Sequence, residues 1–206
     1  MKPAKCKACG NEYQRLRPLQ KVCGPACAMK HARELQAKKA EREEKARRKE
    51  SREKLEAMRT KPQLTRLAQV AFNAFIRARD AGKPCISCGD PLSSEPNSYD
   101  CGHYRSVGSA VHMRFVEDNA HGQCKYCNRH LAGNHVAYRQ GLIARIGQAA
   151  VERIESDQTI RKYTREGLEE IARHYRAEAR RLKSIDSEQR NLNEVFVGMG
   201  RPNEGN

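Results

Sequence analysis

Eight of the nine cysteines in this 206-residue chain come in pairs, and paired thiols are the first residues here with chemistry to offer. Cys85-x-x-Cys88 and Cys124-x-x-Cys127 each present two thiols on one short turn, and together they supply the four soft ligands of a tetrahedral Zn²⁺. A redox dithiol would need only one pair on a thioredoxin-like βαβ pattern, which is absent. Cys6-x-x-Cys9 and Cys23-x-x-x-Cys27 are a second set, suited to a second Zn²⁺. A 29-residue segment with so little apolar content needs such a staple to fold, the bland alternative being a flexible thiol-bearing terminus. Cys101 is left over and reads as a small buried residue on a strand.

Residues 89–123 separate the central pairs, more than a plain zinc ribbon needs, so something is inserted there. The insert holds SYDCGHYRS (98–106) and the start of VHMRFVEDNAHGQCKYCNRHLAGN (111–134). Tyr99–Arg105 and Val111–Val116 read as two short strands joined by SVGSA, with a helix beginning around Cys124. A metal-dependent phosphodiesterase needs a base to activate water, a divalent cation to stabilise the developing phosphorane, and ligands that hold the cation beside that base. His103 is the candidate base, because an imidazole titrates near neutrality. Asn119 can fix the loop and the imidazole by hydrogen bonds, while Asn128 and His130 can face the cation. His121 is a further candidate for metal or phosphate contact; His112 and His135 read as surface or supporting residues. Arg105, Arg114, Lys125 and Arg129 are candidates to contact phosphates, the bland alternative being simple solvent exposure.

Those residues must be positioned by the elements around them. Residues 1–29 form the N-terminal cysteine module. Residues 30–61 carry 13 Lys/Arg against 7 Asp/Glu and few apolar residues, a charged helical arm without a buried face. Pairs such as Glu34 with Lys38, Glu41 with Lys45, Glu43 with Arg47 and Glu50 with Lys54 give it local support. Residues 62–183 form the folded region. Leu64, Leu67, Ala68, Ala71, Phe75 and Ala78 recur at helical spacing until Gly82 and Pro84 stop the helix. A stripe from Leu142 to Ile154 is interrupted at Gly141 and Gly147. A last helix starts at Thr164, a good N-cap, and carries Leu168, Ile171, Ala172, Tyr175, Ala179 and Leu182 on one face. Residues 184–206 read as a polar, flexible tail.

The net charge of +15 points to a polyanion, with nucleic acid the default partner. With 38% hydrophobic residues and no Trp, one large core is excluded. No apolar run approaches the roughly 20 residues of a membrane span, and MKPAKCKACG does not resemble a signal peptide, so the expectation is a cytoplasmic protein with reduced thiols. No base-reading motif is visible, so recognition should be of shape and backbone.

The order Cys-x-x-Cys, His103, Asn119, Cys-x-x-Cys, Asn128 resembles an HNH-type ββα-metal nuclease with its third His replaced by Asn. NAFIRARD (73–80), PCISCG (84–89), D-x-GHYR (100–105), RF (114–115), N-x-H-x-QC-x-x-CN-x-H-x-x-GN (119–134), YR (138–139) and RIG (145–147) resemble the phage NinG (Rap) recombination proteins. That resemblance spans nearly the whole chain. It implies an α+β, mainly helical fold with a zinc-stabilised treble-clef or HNH-like core. It implies cleavage of branched DNA, such as Holliday junctions and D-loops, with Mg²⁺ or Mn²⁺ during phage recombination in the host cytoplasm. HNH enzymes usually place an acidic metal ligand immediately before the first His; this chain has Gly102 there and Asp100 further upstream. In a regular strand Asp100 and His103 point to opposite faces, unless Gly102 hosts a bulge. Asp100, Asn128, His130 and His121 are thus the candidate cation ligands. The two-fold symmetry of a four-way junction suits a homodimer, and host or phage recombination proteins are candidate partners. The rival reading is a non-catalytic, zinc-stabilised DNA-binding accessory factor.

Overall fold

The computed structural model describes residues 3–93, 95 and 97–198, and from residue 189 onward only the helical backbone. The chain divides into two compact units, Met1–Arg59 and Thr60–Asn206.

In the first unit, strands β1 (Ala4–Lys5) and β2 (Glu12–Tyr13) pair antiparallel beneath the cysteines. Helix α1 (Pro25–Ala57) follows, with Pro25 in its first turn, where a missing N–H costs nothing. It buries no residue along its length, as its charge pattern requires. Of the four anticipated charge pairs, Glu50 with Lys54 forms at 2.7 Å. Lys39 with Glu43, Glu44 with Arg47 and Arg48, and Lys49 with Glu53 supply the other ion pairs described within α1.

The second unit starts with a capping box: the Thr60 amide donates to Gln63 Oε1 at 2.7 Å and opens helix α2 (Lys61–Arg79). Leu64, Ala68, Ala71, Phe72, Phe75 and Ile76 line its buried face, at three- and four-residue spacing. Helix α5 (Arg165–Gly198) packs along that face with Leu168, Ala172, Tyr175 and Ala179. Phe72 meets Tyr175 edge to face, ring centres 4.9 Å apart. Thr164 caps α5 as expected, its Oγ1 taking the Gly167 amide at 3.1 Å. Beyond Ser184 the structure departs from the expected tail: α5 runs on to Gly198, while residues 199–206 lie outside the described residues. Glu, Gln, Arg and Leu between 188 and 194 are adequate helix formers, so a helix already anchored upstream extends through them.

A second cluster gathers Ile86, Met113, Tyr138, Leu142, Val151 and Ile154, joining helices α3 (His135–Ile146) and α4 (Gln148–Ser156) to the first knuckle. The helices break only at Gly147, whose φ of +87° ends α3. Gly141 is needed for another reason: a Cβ there would lie 1.8 Å from the Ile86 carbonyl oxygen, so only glycine lets α3 approach the knuckle.

Strand β3 (Tyr99–His103) pairs with β4 (Ala120–Cys124), not with Val111–Val116. Val111–Met113 is a 3₁₀ turn instead. The amides of Met113, Arg114 and Val116 are spent locally, on the carbonyls of Ala110 at 2.9 Å and of Val111 and Met113, both at 3.2 Å, so they are not offered to a neighbouring strand. After Cys124 the expected helix is one π-helical turn, Tyr126–His130. The result is a mainly helical α+β fold with two small sheets, each beside a cysteine cluster. Among the described residues no helix is long and apolar enough to cross a membrane.

Candidate functional site

Each set of four cysteines gathers so that its sulfur atoms all lie within 4.8 Å of one another. Cys88 and Cys124 stand 3.8 Å apart, Cys9 and Cys23 3.7 Å, and Cys23 and Cys27 3.5 Å. A tetrahedral Zn²⁺ with bonds of about 2.3 Å requires sulfurs about 3.8 Å apart, so both sets fit that ion. Backbone amides point at the sulfurs: Cys124 N donates to Cys85 at 3.3 Å and Cys23 N to Cys6 at 3.4 Å. Asn134, in the left-handed conformation at φ 45°, brings its side-chain amide to Cys127 at 3.5 Å. Desolvation opposes ionisation of Cys6, but the amides of Ala8, Cys9 and Cys23 outweigh it and lower its pKa to about 6. Cys85 shifts down in the same way, while hydrogen bonding among thiols raises Cys27 to about 12. Four adjacent thiols share few protons comfortably, and a divalent cation resolves that conflict.

The central clamp holds the β3–β4 hairpin. Its register is regular from Tyr99 opposite Cys124 to His103 opposite Ala120, with no bulge at Gly102. Asp100 and His103 therefore project from opposite faces, and the bulge that would have brought them together is absent. Gly102 serves a different need: a Cβ there would run into the Gln123 side chain at 2.2 Å.

On one face, Asp100 meets the residues that follow the second knuckle. Its carboxylate accepts from Asn128 Nδ2 at 3.0 Å and from Arg129 Nε and Nη2 at 2.6 and 2.8 Å. Arg129, foremost, holds the Asp100 carboxyl below its usual range. His121 projects to this side too, but it is 3% exposed, with Nδ1 3.5 Å from the Tyr138 hydroxyl. Burial, reinforced by Arg79, lowers its pKa to about 3, so it is neutral. His130 stacks on the exposed Tyr126 ring and joins none of these groups. The structure thus unites Asp100 with Asn128 and leaves His121 and His130 apart from them. Among the described residues, the two cysteine sets are the only groups of three or more His, Cys, Asp or Glu placed to share an ion.

On the other face, His103 is half-buried with its ring 5.9 Å from Phe72, and Nε2 lies 3.2 Å from the Arg114 carbonyl. Burial lowers its pKa against the pull of that carbonyl, so the ring is neutral near pH 7. The carbonyls of Arg114 and Cys101 both act on the ring, and a neutral imidazole has one N–H to offer between them. Asn119, fully buried, ties this loop shut. Its Oδ1 accepts from Arg105 N at 2.8 Å, and its Nδ2 donates to the carbonyls of Arg105 at 3.0 Å and Met113 at 3.3 Å. Arg114 donates to Gln69 at 3.2 Å, while its buried Nε meets no hydrogen-bond partner.

The four basic residues divide. Lys125 is exposed, and Arg129 belongs to Asp100. Arg105 turns inward and closes the end of α4, donating to the carbonyls of Ile154 at 3.0 Å and of Asp157. Cys101 is partly buried against the α2–α5 core.

The central residue missed by pattern reading is Asp80. Fully buried at the end of α2, it accepts from Arg79 at 3.0 and 2.9 Å, from Lys83 at 3.0 Å and from the Gly122 amide at 2.8 Å. Arg145 approaches to 3.7 Å. These partners outweigh the cost of burial and hold the carboxyl far below its usual range. Asp80 thereby ties α2, β4 and the end of α3 together. Charges separated by tens of residues carry no periodicity, so only their inclusion in the NAFIRARD and RIG stretches hinted at it. Gln123 was likewise missed: its amide donates to Ser87 Oγ and to the Gly133 carbonyl, both at 2.7 Å, bridging the two knuckles.

A family model described as the Bacteriophage Lambda NinG protein matches residues 1–186. The chain is 42% identical to protein ninG of Escherichia phage lambda over 177 residues, covering 81% of this chain and 85% of that one. It is 42% identical to protein ninG of Salmonella phage P22, covering 81% and 86%, and 40% identical to that of Escherichia phage 933W over 200 residues, covering 91% and 98%. No solved structure matches.

Proposed function

This chain belongs to the bacteriophage NinG family, and we propose that it is a metal-dependent, structure-selective DNA endonuclease acting on branched recombination intermediates such as Holliday junctions and D-loops. The observation that carries the reading is the support around His103: a neutral imidazole held by the Arg114 carbonyl in a loop that Asn119 closes on both sides. A neutral imidazole takes a proton from water through its unprotonated nitrogen, and the half-buried guanidinium of the adjacent Arg114 offers charge to the attacked phosphate. In this HNH-like, treble-clef reading, zinc at Cys85, Cys88, Cys124 and Cys127 holds the hairpin to the turn after it without entering the chemistry.

Mg²⁺ or Mn²⁺ would supply stabilisation of charge on the phosphorane and the leaving oxygen. The hard oxygen donors the chain brings together are Asp100 and Asn128; a cation there would have to displace the bidentate Arg129 from the carboxylate, and the hairpin would have to rearrange to bring it to the His103 face. Residues 62–183 would cut, while the 1–29 module and the 30–61 arm grip a second duplex or a recombination protein of host or phage. A homodimer would match the symmetry of a four-way junction.

One observation favours a second reading, a zinc-stabilised DNA-binding accessory factor: Asp100 and His103 occupy opposite faces of the hairpin. The test is to incubate zinc-loaded wild type and His103→Ala with four-way junction and linear duplex, with Mg²⁺, Mn²⁺ or chelator. Cleavage scored apart from binding should give metal-dependent junction cutting by wild type and a variant that binds equally but does not cut. If neither protein cuts with any divalent cation while both bind, the accessory-factor reading replaces the nuclease.

A further inference from the structure

Between Cys9 and Cys23 the chain makes a loop that displays Leu16 and Leu19 at 84% and 89% exposure. Single apolar side chains are common on protein surfaces, so the two leucines carry meaning only through how the loop holds them and what surrounds them. The exposure is not a by-product of a loose segment. Gln20, half-buried at the base, accepts from the Leu16 amide at 2.8 Å and donates to the Val22 carbonyl at 2.9 Å, while its own carbonyl takes the Tyr13 hydroxyl at 2.6 Å. The Gln20 amide closes the turn on the Arg17 carbonyl at 3.2 Å, and Pro18 stiffens it. The loop is therefore built, and it is built to hold two leucines outward.

The neighbouring charges say what the leucines meet. Exposed Arg15 and Arg17 alternate with them, and residues 3–24 carry Lys5, Lys7, Arg15, Arg17 and Lys21 against a single carboxylate, Glu12. Apolar tips between arginines match a partner that is anionic outside and apolar within, as a stacked nucleic acid is; the cations take phosphates and the apolar side chain enters between bases. Intact duplex resists such entry, whereas a branch point already has interrupted stacking, so the wedge is cheapest there.

We propose that the Leu16–Leu19 loop is a wedge that inserts at the branch point of DNA, giving the N-terminal module a direct part in recognising branched substrates. This rests on the DNA reading above, yet it does not require that the protein cut.

The experiment uses the full, zinc-loaded chain in chelator-free binding buffer without Mg²⁺, with a four-way junction carrying 2-aminopurine at the branch and a linear duplex of the same length. Wild type should raise the 2-aminopurine emission and prefer the junction. Leu16→Ser/Leu19→Ser should leave zinc content and duplex affinity unchanged, abolish the emission change, and weaken junction binding about tenfold. Leu16→Met/Leu19→Met, which keeps the apolar tips, should retain both. A Ser variant with unaltered junction affinity and emission overturns the wedge and leaves the leucines to a protein partner. A wild type that binds no DNA overturns the wedge together with the functional reading beneath it, whereas a wild type that opens the branch here and still fails to cut once Mg²⁺ or Mn²⁺ is added overturns only the nuclease.

Discussion

The two four-cysteine centres share a sulfur geometry but not a setting. In the N-terminal unit Cys6 is the only buried residue among those described, and the two strands beside it are two residues long. In the central unit Cys85 and Cys127 pack with Leu92 and Tyr99, next to helices with their own apolar core. The first centre has to make its fold, whereas the second refines a fold that apolar burial already drives. One ligand set can thus be the whole of one module's stability and a fraction of another's.

The largest test of that contrast removes metal. Apparent zinc binding energies of about 10–16 kcal/mol exceed anything else holding residues 4–23. Cys27→Ser should reduce zinc from two ions per chain to one and expose the amides that bond across the module, such as Lys7 to Lys21, to rapid hydrogen exchange. Helices α2 and α5 should keep their protection. Cys127→Ser should also lose one zinc, yet leave the α2–α5 core cooperatively folded with a lowered melting temperature. If Cys127→Ser unfolds α2 and α5 outright, the contrast is broken.

Asp80 sharpens it next. Breaking a buried charge cluster by neutralising one member typically costs about 3–5 kcal/mol, because the remaining cations lose their counter-charge. Asp80→Asn should cost that much in urea unfolding of the second unit and make its stability far more dependent on zinc, so that the central unit comes to behave like the N-terminal one. An unchanged midpoint would mean that Arg79, Lys83 and Arg145 find other partners without loss.

How much of this was readable beforehand follows from what each contact depends on. Paired cysteines, the apolar stripe of α2, the Thr164 cap and the polar arm are local patterns, and they stand where spacing put them. Val111, Phe115 and Val116 have strand-like side chains, which is why the segment reads as the partner of β3; in the fold its amides turn back on carbonyls three residues earlier, and β4 takes the place beside β3. The site was half legible. Asn119 was expected to fix both the loop and the His103 imidazole; its three bonds go to Arg105 and Met113 in the loop and none of them to the imidazole, and the separation of Asp100 from His103 hung on whether one glycine carried a bulge. Asp80 and Gln123 were invisible to pattern, since their partners are defined only by the folded chain.

His121 provides the smallest and most specific test, because it separates acid sensitivity of the fold from acid release of zinc. Its imidazole is buried and its pKa falls to about 3. Unfolding returns it to an ordinary value near 6.5, so in mild acid the unfolded chain binds a proton that the folded one refuses. The stabilising contribution is therefore complete above about pH 6.5 and erodes as pH falls toward 3, at about 1.4 kcal/mol per pH unit. Zinc thiolates also protonate as pH falls, but they do so in every variant. Subtracting the stability curve of His121→Gln from that of wild type, at equal zinc, should cancel the metal and leave a difference that is constant above pH 7 and changes with the one-proton slope between about pH 6 and 4. A flat difference throughout would mean that the folded protein protonates His121 readily, and acid sensitivity of the central unit would then belong to its zinc centre, as it must in the N-terminal one.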